Sequence, residues 1–182
     1  QNTNVYVACP AYVATGGPEL LHQLVYHLIN DIQVNAFIFY YDYKKDINVD
    51  PVNRDYKKYN LPYVTELQHE IDSIENILIV PEILLAMKLL EKYKNIRKGV
   101  WFLSVDNYYL SRMKWNDFFF QRIINKFFKV FKKSTNFNIA SARNVERLTK
   151  KYDYTKNLLL TKCNFFLTQS FFAQCWFDKL PN

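Results

Sequence analysis

The chain has 182 residues, 49% hydrophobic and 23% charged, a size and balance that suit one globular domain and exclude a disordered chain. Its net charge of +7 is local, because residues 112–156 hold twelve Lys and Arg against Asp117, Glu146 and Asp153 while the rest is slightly acidic. Three cysteines without CxxC or Cys/His metal spacing argue against a disulfide framework and a metal site; reduced thiols point to the cytosol, and no apolar run reaches the ~18 residues of a membrane span.

Asn4–Ala11, NVYVACPA, predicts a buried strand, short, apolar and closed by a proline and then a glycine pair. Pro18 suits the first turn of a helix and Glu19 its positive end. Leu20, Leu21, Leu24, Val25, Leu28 and Ile29 then keep helical spacing. Asn35–Tyr43 predicts a second strand, residues 44–60 a polar loop, and 61–67 a third strand. Residues 76–82, NILIVPE, predict a fourth, followed by a helix over Ile83–Tyr93. Val100–Val105, VWFLSV, predicts another strand that leaves into a loop, DNYY. Trp115–Lys133 predicts a long basic helix, Asn164–Thr168 a last strand and Ser170–Leu180 a closing helix.

Strands alternating with helices indicate βαβ units. The whole chain therefore predicts one α/β domain, a doubly wound and mainly parallel sheet with helices on both faces. Ligands in such sheets bind beyond the carboxyl ends of the strands. That rule selects Tyr12–Glu19, Pro81–Glu82, Ser104–Tyr109 and Gln169–Ser170, all of which follow apolar strands.

Each stretch has two readings. Thr15-Gly16-Gly17-Pro18-Glu19 is neither GxGxxG nor GxxxxGK[ST]. Its amides at a helix N-terminus can bind an anion that glycine lets approach, or it is a bare strand-to-helix turn. His22 shares a helix face with Glu19 and can contact phosphate or sugar, or is a buried histidine bonded locally. Asp106 can bind sugar hydroxyls or serve as a general base, and Tyr108 and Tyr109 can stack on a sugar; the plain reading is an Asx turn with packed rings. Glu82 binds a ligand or caps the helix after it. In the basic helix, Phe119, Phe120, Ile123, Ile124, Phe127, Phe128 and Phe131 form a stripe that suits packing on the sheet. Arg122, Lys126, Lys129, Lys132 and Lys133 beside it suit an anionic membrane surface. No nucleic-acid module is recognisable.

Taken in order, CPAYVATGGPELLHQLVYHL, ILIVPE, VWFLSVDNYY and NFFLTQSFFAQCWF resemble the N-terminal half of a bacterial GT-B glycosyltransferase from surface polysaccharide or lipooligosaccharide assembly. The resemblance runs from about Val5 to Phe177. It implies a Rossmann-like acceptor lobe, with a C-terminal donor-binding lobe beyond Asn182. It implies transfer from a nucleotide-sugar donor to a glycan or glycolipid acceptor, without metal or other cofactor. Gly16 and Gly17 would form the loop reaching the donor diphosphate, flanked by Glu19 and His22. Asp106, Asn107, Tyr108, Gln169 and Ser170 would face the cleft, and the basic helix would meet the inner face of the cytoplasmic membrane. A non-catalytic membrane-surface module and a stand-alone nucleotide-binding domain are the rival expectations.

Overall fold

The computed structural model describes residues 3–44, 49–113 and 156–177. Six parallel strands form one sheet: β1 (Asn4–Pro10), β2 (Asn35–Tyr41), β3 (Tyr63–Val64), β4 (Ile77–Pro81), β5 (Arg97–Phe102) and β6 (Phe165–Thr168). Their spatial order is β3-β2-β1-β4-β5-β6. This is the strand order of a Rossmann-like, doubly wound sheet, which reverses direction between β1 and β4.

The strands alternate between two buried faces. In β1, Val5, Val7 and Cys9 pack with Leu21 and Val25 of α1 (Gly16–Asn30). Tyr6 and Ala8 point to the opposite face. That face is covered by α2 (Leu84–Met87), α3 (Leu89–Lys92), α4 (Val105–Leu110) and α5 (Phe171–Phe177). Both strand faces are covered, so β1 and β4 read as apolar runs and not as alternating patterns.

Several boundaries differ from the sequence expectation, each for a local reason. The helix expected over Ile83–Tyr93 is two short ones that meet at Lys88. A tight bond of the i to i+3 kind, from Glu91 N to Lys88 O at 3.1 Å, narrows the chain there. Strand β5 starts at Arg97, three residues before the expected start at Val100. Asn164 Oδ1 accepts from Lys98 N at 2.7 Å, and the Arg97 guanidinium donates to Glu75 O at 2.9 Å, so charged residues open a buried strand. The expected DNYY loop is helix α4, because Ser104 Oγ accepts from Asn107 N and caps its first turn. The expected loop over 44–60 contains a 3₁₀ helix, Arg54–Tyr59, whose cap is Asn53 Oδ1 accepting from Asp55 N. The expected strand over 61–67 contracts to β3.

One glycine is fixed by packing. Gly99 of β5 lies in register with Phe165 of β6, and a Cβ there would stand 2.3 Å from Phe165 Cε2. Gly99→Ala is expected to push that ring away and to cost about 1–3 kcal/mol of stability. Urea denaturation checks this, and an unchanged midpoint would show that the ring moves freely.

Candidate functional site

The site is built where the sheet reverses. The chain leaves β1 at Pro10 and turns through Tyr12, whose φ of 67° lies in the left-handed region. That conformation is costly for a bulky residue and persists only where neighbours hold it. Tyr12 N donates to Pro51 O at 3.0 Å, and Asn53 Nδ2 donates to Tyr12 O at 2.8 Å. Three residues on, Tyr56 Oη donates to Thr15 O at 2.8 Å and accepts from Thr15 N at 2.9 Å. Residues 51–56 thus hold the turn that delivers the chain into α1.

This turn faces the ends of β4 and β5 across a cavity of about 270 Å³. Pro10, Val13, Leu21, Pro81, Ile83 and Leu103 give it apolar walls, and Thr15, Glu82 and Asn107 supply polar groups. Gly17 lines it as well, and a Cβ at Gly17 would meet only Leu103 Cδ1, at 3.6 Å. At Gly16 an added Cβ would meet nothing within 4 Å. Neither glycine has a positive φ. The backbone therefore does not require Gly16-Gly17; the pair leaves the N-terminus of α1 uncovered.

Glu82 anchors the opposite wall. It is buried, and its carboxylate accepts from Leu103 N at 3.0 Å and from Ser104 N at 3.2 Å, with the Asn107 side chain as a further partner. Burial pushes its carboxyl above the ordinary range, while the amide donors pull it back in part. Glu82 caps neither α2 nor a bare turn. It ties the end of β4 to the β5–α4 turn, so it positions Leu103 and Asn107 around the cavity.

Of the residues singled out in the sequence, Thr15, Gly17, Glu82 and Asn107 come together here. Gly16 adjoins them on the first turn of α1. Glu19 turns away, with Oε1 accepting from Tyr59 Oη at 2.5 Å and from Lys58 Nζ at 3.0 Å. His22 is buried beside Tyr56, its Nδ1 2.7 Å from Pro18 O and its Nε2 2.7 Å from Tyr40 Oη. Asp106 is half-buried on the first turn of α4, outside the cavity lining. Tyr108 and Tyr109 are buried in the core, so their rings are not open to stacking. Gln169 and Ser170 follow β6 at the sheet's far side, where Gln169 N donates to Phe102 O and Ser170 Oγ accepts from Ala173 N as a helix cap.

Sequence reasoning selected Val13 only as part of the Tyr12–Glu19 loop, and it missed Leu103 and the tyrosine clamp on Thr15. Leu103 lies inside the expected strand Val100–Val105 and carries no motif, and Tyr56 lies in a polar stretch without periodicity. Arg122, Lys126, Lys129, Lys132 and Lys133 lie outside the described residues. Among the described residues, no helix is long and apolar enough to cross a membrane. No protein-family model, curated protein or solved structure matches this chain.

Proposed function

We propose that the chain is the acceptor-side lobe of a GT-B-type glycosyltransferase and that the switch-point cavity is its share of the substrate site. The observation that carries the reading is the cavity's position, between the carboxyl ends of β1, β4 and β5, where sheets of this order take their ligands. The uncovered N-terminus of α1 supports it, because first-turn amides there favour a diphosphate. In this role Thr15, Gly17 and Asn107 touch the substrate, and Glu82 positions Asn107. Catalysis rests on orientation and on stabilising the leaving diphosphate. Transfer from a nucleotide-sugar to a glycan or glycolipid acceptor is part of the proposal, as is Asp106 acting from the first turn of α4 on an acceptor hydroxyl.

The test is a titration of the 182-residue chain with UDP-glucose, UDP-N-acetylglucosamine and GDP-mannose, followed by saturation-transfer NMR. Gly17→Ala places a methyl in the cavity beside Leu103 and is expected to weaken binding at least about tenfold. The same change leaves stability unchanged or raises it by up to about 1 kcal/mol, since alanine suits a helix better than glycine. Equal binding by a folded Gly17→Ala overturns the reading, whereas no binding by this chain alone is what a lobe that shares its donor site with a second lobe predicts and argues against the rival stand-alone nucleotide-binding domain.

A further inference from the structure

A second cavity, of about 250 Å³, lies apart from the first, beneath residues 50–63 at the β2–β3 edge. We propose that it is a binding site for one uncharged sugar ring.

Its walls are aromatic. Tyr40 of β2 and Tyr56 of the 3₁₀ helix are buried, and Tyr63 of β3 is 44% exposed at the mouth. The sugar's axial C–H groups form an apolar face that packs on such a ring, while its hydroxyls need polar partners at the edge. The cavity supplies both kinds of surface, as small-ligand sites do.

The hydrogen-bond geometry fixes what Tyr40 offers. His22 Nδ1 lies 2.7 Å from Pro18 O, an acceptor only, so Nδ1 carries the proton and donates. Burial holds His22 below its ordinary pKa, so the ring is neutral and Nε2 is an acceptor. Tyr40 Oη, 2.7 Å from Nε2, must therefore donate its proton inward. Its oxygen lone pairs remain to accept from a ligand hydroxyl. The buried His22–Tyr40 pair thus sets a fixed acceptor in the cavity wall.

Charge and shape narrow the ligand. At the rim, Asp50 Oδ2 and Lys57 Nζ pair at 2.8 Å, which cancels their charge and leaves no surplus cation for a phosphate among the described lining residues. Tyr40 and Tyr63 meet edge to face, at 71° with centroids 5.5 Å apart, so they form no parallel slot for a nucleobase. One open ring face, one fixed acceptor and a neutral ion pair fit a hydroxyl-rich ring better than either alternative. The volume also falls below the range of about 300–1,000 Å³ typical of drug-sized ligands, consistent with a single ring.

The experiment is saturation-transfer NMR on the 182-residue chain with methyl β-D-glucopyranoside, methyl β-D-galactopyranoside and N-acetylglucosamine, with uridine and inorganic phosphate as competing probes. At least one pyranoside is expected to bind with an affinity on the order of 1 mM, as for so small a ligand. Its ring C–H protons should receive the strongest transfer. Tyr63→Ala should reduce that transfer at least about fivefold with an unchanged circular dichroism spectrum, and Tyr63→Phe should restore it. Transfer to none of the pyranosides overturns the proposal, as does equal transfer in a folded Tyr63→Ala. Displacement of the sugar by uridine or phosphate through this cavity overturns it as well. The site does not rest on the reading of the switch-point cavity: Gly17→Ala is expected to leave it intact, so the two can fail separately.

Discussion

Tyr108→Ala is expected to lower the unfolding free energy by about 3–5 kcal/mol, in the range for deleting a large buried aromatic side chain. Tyr108 is 1% exposed and sits against Phe102, Tyr109 and Trp176, with ring centroids 5.0–6.1 Å away. The Arg112 guanidinium lies over its ring, 3.6 Å from the centroid. Its hydroxyl accepts from Asn157 Nδ2 at 2.8 Å. Tyr108→Phe keeps the ring and removes the hydroxyl that accepts this bond, so its cost should fall to about 1 kcal/mol. Guanidinium denaturation of both variants checks the ratio. A loss below about 1 kcal/mol for Tyr108→Ala would show the ring to be dispensable to the core. The sequence allowed a sugar-stacking role for this tyrosine, but its side chain is buried among other rings.

Glu82→Ala is expected to cost about 2–4 kcal/mol, because it leaves the Leu103 and Ser104 amides without their acceptor and frees Asn107. Glu82→Gln keeps one carbonyl acceptor and should recover about half of that. The wild-type carboxyl also makes stability depend on pH. Its folded pKa is raised by burial, so the folded state holds the proton more tightly than the unfolded chain does. The resulting stability is fully present below the unfolded pKa of about 4.3 and is lost as pH rises through the folded value. Glu82→Gln should therefore abolish that part of the pH dependence in urea titrations between acid and neutral pH. A Gln variant with the wild-type pH profile would place the effect on another group.

The outline of the fold was legible because both faces of the central strands are covered. Val5, Val7 and Cys9 pack on one face and Tyr6 and Ala8 on the other, so β1 appears as an unbroken apolar run. The parallel, doubly wound class and the strand-end rule follow from that pattern. The rule gathered Thr15, Gly17, Glu82 and Asn107 into one cavity. What stayed hidden depends on contacts between distant segments. Nothing near Thr15 in the sequence shows that Tyr56 clamps it from 41 residues away. Helix α4 was hidden because its capping serine reads equally as an Asx-turn neighbour. The strained residue in the first loop is Tyr12 and not either glycine, which composition alone would not indicate. His22 and Glu19 share a helix face as expected, yet both face residues 54–59 and Tyr40 instead of the cavity.

The central claim is that a ligand occupies the switch-point cavity. The most direct measurement is a ¹⁵N–¹H correlation spectrum of the chain titrated with UDP-glucose, UDP-N-acetylglucosamine and GDP-mannose. The chain has three glycines, so the amides of Gly16 and Gly17 can be assigned with little overlap. Saturable shifts are expected at Thr15, Gly16, Gly17, Leu103 and Asn107, and they should vanish in Gly17→Ala. Shifts confined to residues outside the cavity, or shifts that persist unchanged in Gly17→Ala, would contradict the account.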